Sequence, residues 1–237
     1  MQLAFLIAIS FLTSAWTAII GTGGGIMLIS ILPGFVPAPA LIPVHGFVQV
    51  ASNSTRAAFS APAIVWGIFW PFVTGAVIGA AVGSQVLVAV PWEYLPILLG
   101  TFILLITWLP RSRSGFNLPG KFFSVGLVQT FASLFLGAAG PLSPPFLLRE
   151  GLSKDRLVAT HAATMTVMHL LKILTFGLLG FAFRPYLPMI AGMVVGVTAG
   201  SYVGTRLRSR VPEALFLRLF RIVITLLALR LILRVAM

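Results

Sequence analysis

The chain reads as long apolar runs punctuated by glycine and proline, and the order of runs occurs twice. Segment A covers about 2–20 and stops at the cluster Gly21-Thr22-Gly23-Gly24-Gly25, and a short segment B, about 25–32, ends at Pro33. A proline-rich connection (Pro33, Pro37, Pro39, Pro43) leads to segment C at about 44–60, then D at about 63–88 and E at about 94–109. After a basic stretch from Arg111 to Lys121 the order returns: A′ at about 121–137, a break at Gly137-Ala138-Ala139-Gly140-Pro141, B′ to Leu148, C′ at about 155–180, D′ at about 186–205 and E′ at about 213–234. Runs near 20 residues have the length of a membrane-crossing helix. Alternating ten-residue strands are absent, which argues against a barrel. The pattern predicts an all-α, polytopic transmembrane protein whose N-terminal run is its first membrane segment. Its expected parts are a first transmembrane repeat at 1–110, a cytoplasmic basic linker at 111–120 and a second repeat at 121–237.

The repeat is visible residue by residue. At the offset of 116 that separates Gly21 from Gly137, Gly24 matches Gly140, His45 matches His161, Asn53 matches His169 and Arg56 matches Lys172. One residue later in register, Pro71, Gly75, Gly79, Gly83 and Ser84 match Pro188, Gly192, Gly196, Gly200 and Ser201. Charge then sets orientation. The loops after E, B′ and D′ carry Arg111, Arg113, Lys121, Arg149, Lys154, Arg156, Arg206, Arg208 and Arg210, whereas residues 33–43 carry no charge and only Glu93 follows D. Basic loops stay cytoplasmic, so equivalent loops of the two halves fall on opposite sides. Arg184, Arg230 and Arg234 run against this assignment. With both ends of A′–B′ on the basic side, each half is expected to hold one re-entrant, broken-helix hairpin and three spanning helices, in inverted topology.

Composition supports a lipid environment. Only 8% of the residues are charged and the mean hydropathy is +1.07, too little polar surface for water. The net charge of +12 resides mostly in short loops, which points to membrane orientation rather than to nucleic acid. With no cysteine there is neither disulfide nor thiolate chemistry. The acids Glu93, Glu150, Asp155 and Glu213 all fall in predicted loops, leaving no intramembrane carboxylate dyad and no cofactor or metal motif.

The candidate chemistry lies at the breaks and along C and C′. Non-helical backbone survives at membrane depth only where protein or an aqueous cavity satisfies it. Segment B would start after Gly21–Gly25 with free N–H groups and an electropositive end, and B′ would start likewise near Gly140, although Pro141 has no N–H. Two such ends facing inward would make an anion site; the alternative is that the glycines only allow close packing. His45, Gln49, Ser52, Asn53 and Arg56 share one helical face, as do His161, Met165, Met168, His169 and Lys172. Ionisable groups there are expensive and face cavities or partners. Arg56 either faces the cavity or snorkels to the cytoplasmic edge, and the histidines titrate near neutral pH, which makes a proton the candidate coupling ion. The glycine series of D and D′ reads as small-residue packing faces, and Trp16, Trp66, Trp70, Trp92 and Trp108 as interfacial anchors.

Gly21-Thr22-Gly23-Gly24-Gly25 with Pro33, and Gly137-Ala138-Ala139-Gly140-Pro141 with Pro144 and Ala159-Thr160, resemble the TauE/SafE family of sulfite exporters over essentially the whole chain. The resemblance implies an anion transporter of the bacterial inner membrane with sulfite, a sulfonate or a sulfoacetate-like compound as substrate. The expected site comprises Thr22, Gly23, Gly24, Gly25, Gln49, Ser52, Asn53, Arg56, Gly140, Ser143, His161, His169 and Lys172. Transport by alternating access is the first reading and a passive anion channel the second; an intramembrane enzyme is disfavoured by the missing acids.

Overall fold

The computed structural model describes residues 1–87 and 120–208, except the side chains of Pro141, Pro145, Leu148 and Arg149, together with Arg210 and single positions within 97–108 and 222–233. Most of segments E and E′, residues 111–119 and the residues Trp92, Glu93 and Glu213 lie outside the described residues. Among the described residues all regular structure is helical: α1 (Gln2–Ile20), α2 (Gly24–Ile31), α3 (Ala38–Phe59), α4 (Trp66–Leu87), α5 (Lys121–Leu136), α6 (Pro144–Arg149), α7 (Lys154–Leu178) and α8 (Leu187–Leu207). These correspond to segments A to D and A′ to D′.

Polarity is distributed as lipid requires. α1 buries Ser10, Thr13, Ser14 and Thr17 while Leu3, Phe5 and Leu12 are exposed, and α4 exposes Val77, Ile78 and Val82. Polar groups turned inward and aliphatic groups outward are the reverse of a water-soluble surface. Four helical stretches, Gln2–Ile20, Trp66–Leu87, Lys154–Leu178 and Arg184–Leu207, are long and apolar enough to cross a membrane. The protein is an integral membrane protein.

Two sequence expectations need correction. α3 begins at Ala38, not near 44, because Pro37 caps it in an extended conformation and Pro39 sits in its first turn, where a missing N–H costs nothing. Only Pro43 is interior, and it removes a single bond close to the helix end. Asp155 is not in a loop; it lies in the first turn of α7, where its charge suits the helix dipole, and it pairs with Arg208 Nη1 at 2.7 Å.

The helices pair across the halves. α1 packs along α8 and α4 along α5, each pair running parallel, while α3 and α7 pack against each other in the centre. Glycines set the first two contacts. A Cβ on Gly75 or Gly79 would overlap the carbonyls of Phe123 or Leu127 in α5, and one on Gly196, Gly200 or Gly204 the carbonyls of Ile7, Phe11 or Ala15 in α1. α3 and α7 run antiparallel: Gly46, early in α3, lies against Lys172, late in α7, whereas Val65, just past the end of α3, donates its N–H to Thr160 Oγ1 near the start of α7 at 2.9 Å. His45 lies against His169, with ring centroids 5.7 Å apart.

The outer ends of the two hairpins are also joined. Phe5 stacks on Phe35 at 5.5 Å, bringing the start of α1 to the end of α2. At the corresponding place in the second half Lys121 forms an ion pair with Glu150, joining the start of α5 to the end of α6. Both partners are partly exposed, so Glu150→Gln is expected to cost less than about 1 kcal/mol in thermal unfolding.

Candidate functional site

Each hairpin turns by the same device. α1 ends at Gly21 (φ 93°) and α5 at Gly137 (φ 69°); both take a positive φ, which glycine tolerates. Their N–H groups bond the carbonyls of Thr17 (2.7 Å) and Ser133 (3.0 Å), again 116 residues apart. The breaks are then held from the preceding helix. Thr17 Oγ1 accepts from Gly24 N at 3.0 Å while donating to the Thr13 carbonyl, and Gln129 Nε2 donates to the Ala139 and Gly140 carbonyls at 3.0 and 3.3 Å.

Between the breaks lies a cavity of about 30 Å3. One water-sized sphere takes roughly 10–15 Å3, so it holds a compact solute of few heavy atoms. Thr22, Gly23 and Gly25 line it from the first break, Gln49, Asn53 and Arg56 from α3, Gly140 from the second break, and His161 and His169 from α7. The other expected residues stand one bond behind this wall. Gly24 gives its N–H to Thr17, Ser52 Oγ accepts from Arg56 Nη1 at 3.1 Å, Ser143 Oγ pairs with His161 Nδ1 at 3.0 Å, and Lys172 Nζ donates to His169 Nδ1 at 3.2 Å.

The chemistry of the wall is donor-rich. Gly25 lies in the first turn of α2, at its electropositive end, and the buried Thr22 hydroxyl has no partner. Lys172 has only hydrogens to give, so His169 accepts at Nδ1 and carries its own hydrogen on Nε2. His45 Nε2 donates to the Gly25 carbonyl at 2.9 Å, fixing the start of α2 against α3. Arg56 and Lys172 are both buried, which rules out snorkelling for Arg56. Among the described carboxylates, Glu150 pairs with Lys121 and Asp155 with Arg208, so neither serves the cavity. Among the described residues, Arg56 on the cavity wall and Lys172 behind His169 are buried cations with no carboxylate beside them.

The halves do not contribute alike. α6 has six residues and opens on Pro144-Pro145, so its first two positions carry no N–H. The amide tip comes from α2 alone, and the second half supplies imidazoles.

Thr17, Ile26, His45, Ala138 and Met165 also line the cavity without having been assigned to the site from sequence. Thr17 had a readable signal: it precedes Gly21 by four residues as Ser133 precedes Gly137, placing a hydroxyl one turn before each break. Ile26 and Ala138 had none, since an apolar residue beside a break looks like any other.

Residues 6–231 match the family model of the sulfite exporter TauE/SafE. The chain belongs to that family. Its members are membrane transporters of sulfite and related anions. No curated protein and no solved structure matches the chain.

Proposed function

We propose that this TauE/SafE protein is a secondary transporter that exports a small sulfur-containing anion (sulfite, a sulfonate or a sulfoacetate-like compound) across the bacterial inner membrane by alternating access. The observation that carries this reading is the buried guanidinium of Arg56 on the cavity wall, with no carboxylate beside it among the described residues. A buried unpaired charge costs several kcal/mol, and an anion in the cavity is the counter-charge the site lacks. Thr22, the Gly23 and Gly25 amides, Asn53 and His169 would donate to its oxygens, with Arg56 as the charged contact. The cavity suits the compact oxyanion head that sulfite and a sulfonate share.

The inverted arrangement is part of the proposal. The joined hairpin ends at Phe5/Phe35 and Lys121/Glu150 support two re-entrant hairpins entering from opposite sides. The antiparallel crossing of the equivalent helices α3 and α7 supports a two-fold axis in the membrane plane. Lys154, Arg156, Arg206 and Arg210 would then mark the cytoplasmic face. Since the chain has no cysteine, single-cysteine variants report side directly. Gly34→Cys and Arg156→Cys, both exposed, are expected to react with an impermeant thiol reagent from opposite compartments. Reaction from one compartment would remove the inverted topology.

Proteoliposomes test the transport step. Radiolabelled sulfite flux is expected to saturate and to show counterflow when unlabelled sulfite is placed on the opposite side. Linear flux without counterflow would make the protein a passive anion channel through the same cavity.

A further inference from the structure

Arg56 and Lys172 occupy equivalent positions in the two halves, yet they are engaged differently. Arg56 borders the cavity and donates to Ser52 and to Asn53 Oδ1 (2.5 Å) on its own helix. Lys172 does not border it. Its ammonium donates at 2.7 Å to the carbonyl of Gly137, the residue at which α5 ends and the chain turns back, and at 3.2 Å to His169 Nδ1. The end of a helix carries unsatisfied carbonyls and a negative partial charge, so this is a charge-assisted bond, and none of the described carboxylates competes for it.

We propose that Lys172 is a positioning residue rather than a ligand: it latches the second break shut, and anion binding loosens the latch. The proposal rests on the alternating-access reading above and adds the element that moves. With the latch engaged, Ala138 and Gly140 are held against the cavity and close it on the side opposite the basic loops. An anion on His169 Nε2 sits one imidazole away from the ammonium and competes with the Gly137 carbonyl for it. The anion thus favours the released state by a differential interaction, which is what a ligand needs to shift a conformational equilibrium. The stem packs against Gly46, where a Cβ would come within 3.1 Å of Lys172 Cδ. In the opposite state Arg56 would turn from Asn53 to the corresponding carbonyl of the first break, at Gly21, exchanging roles with Lys172.

The experiment uses Ala138→Cys as the only cysteine in the full-length chain, in proteoliposomes, with an impermeant thiol reagent applied from the side opposite the basic loops. With Lys172 present, labelling is expected to be slow and to accelerate several-fold with sulfite. Lys172→Met fills the same space without the donor. It is expected to label roughly tenfold faster without sulfite, the factor one charge-assisted hydrogen bond represents, and to become insensitive to sulfite. Its sulfite Kd should stay within about threefold of the parent, while net efflux falls and Lys172→Arg restores the slow labelling. The latch is overturned if Lys172→Met raises the Kd more than tenfold with labelling unchanged, since Lys172 is then a ligand. It is equally overturned if sulfite leaves labelling of the Lys172 parent unaltered, a result that does not depend on the variant folding. Absence of counterflow in the parent would instead overturn the transport reading beneath it.

Discussion

Replacing Arg56 with methionine is expected to weaken sulfite binding about 100-fold while leaving the ligand-free protein as stable as before, or more stable. The two effects have opposite signs for one physical reason. Without the anion Arg56 is a buried cation with no counter-ion among the described residues, so an apolar side chain of similar bulk removes a desolvation cost. With the anion present the guanidinium is the charged donor, and its loss is worth roughly 3 kcal/mol, on the order of 100-fold in Kd. Thermal unfolding separates the two. At sulfite 100 times above its Kd the parent gains about 2.7 kcal/mol from the ligand, and a 100-fold weaker site gains only about 0.4 kcal/mol. The ligand-induced shift in Tm should therefore nearly vanish while the ligand-free Tm holds or rises. A sharp fall in the ligand-free Tm would assign Arg56 to its bonds with Ser52 and Asn53, and the anion site would lose its central charge. Arg56→Lys should lie between, keeping the charge but not the planar fork.

The architecture of the site was largely legible because membrane helices advertise their exceptions. A glycine cluster inside an apolar run has few explanations, and its recurrence 116 residues later, followed each time by a histidine and a cation at matching distances, left fewer. What sequence could not reveal was depth within the wall. Ser52 and Asn53 are neighbours on one helix, yet Asn53 lines the cavity and Ser52 turns away to bond Ser14 Oγ at 2.8 Å. Lys172 and His169 share a face, yet the longer chain passes behind the ring to reach Gly137. Such distinctions depend on where α3 crosses α7, a property of neither helix alone. The start of α3 was misplaced for a different reason: prolines read as a loop are equally at home in a first turn, and only the capping geometry of Pro37 decides. The pairing of α1 with α8 and of α4 with α5 was likewise hidden, since a glycine stripe shows that a close neighbour exists without naming it.

That pairing leads to the largest effect expected on the fold itself. Gly79→Leu and Gly200→Leu should each fail to give a folded, monodisperse protein, and the alanine variants should each lose on the order of 2–3 kcal/mol. A Cβ at Gly79 would overlap the carbonyl of Leu127, and one at Gly200 that of Phe11. Backbone atoms cannot rotate out of the way, so the helices would have to part along their length. The damage would not stay local. α4 belongs to the first half and α5 to the second, and the same holds for α1 and α8, so each glycine face holds one half against the other. Parting them separates the Gly21–Gly25 break from the Gly137–Gly140 break and opens the cavity that both must line. Gly67 in α4 and Gly34 beside α2 are the controls, because a Cβ at either meets nothing within 4 Å. Gly67→Ala, in the first turn of its helix, is expected to be neutral or to stabilise by about 0.5–1 kcal/mol through helix propensity. Melting temperatures of the four alanine variants, Gly34→Ala, Gly67→Ala, Gly79→Ala and Gly200→Ala, should fall into two groups of two. If Gly79→Ala and Gly200→Ala instead melt with the controls, the halves are not held together by these faces, and the depth of both breaks must be fixed by the central crossing of α3 and α7.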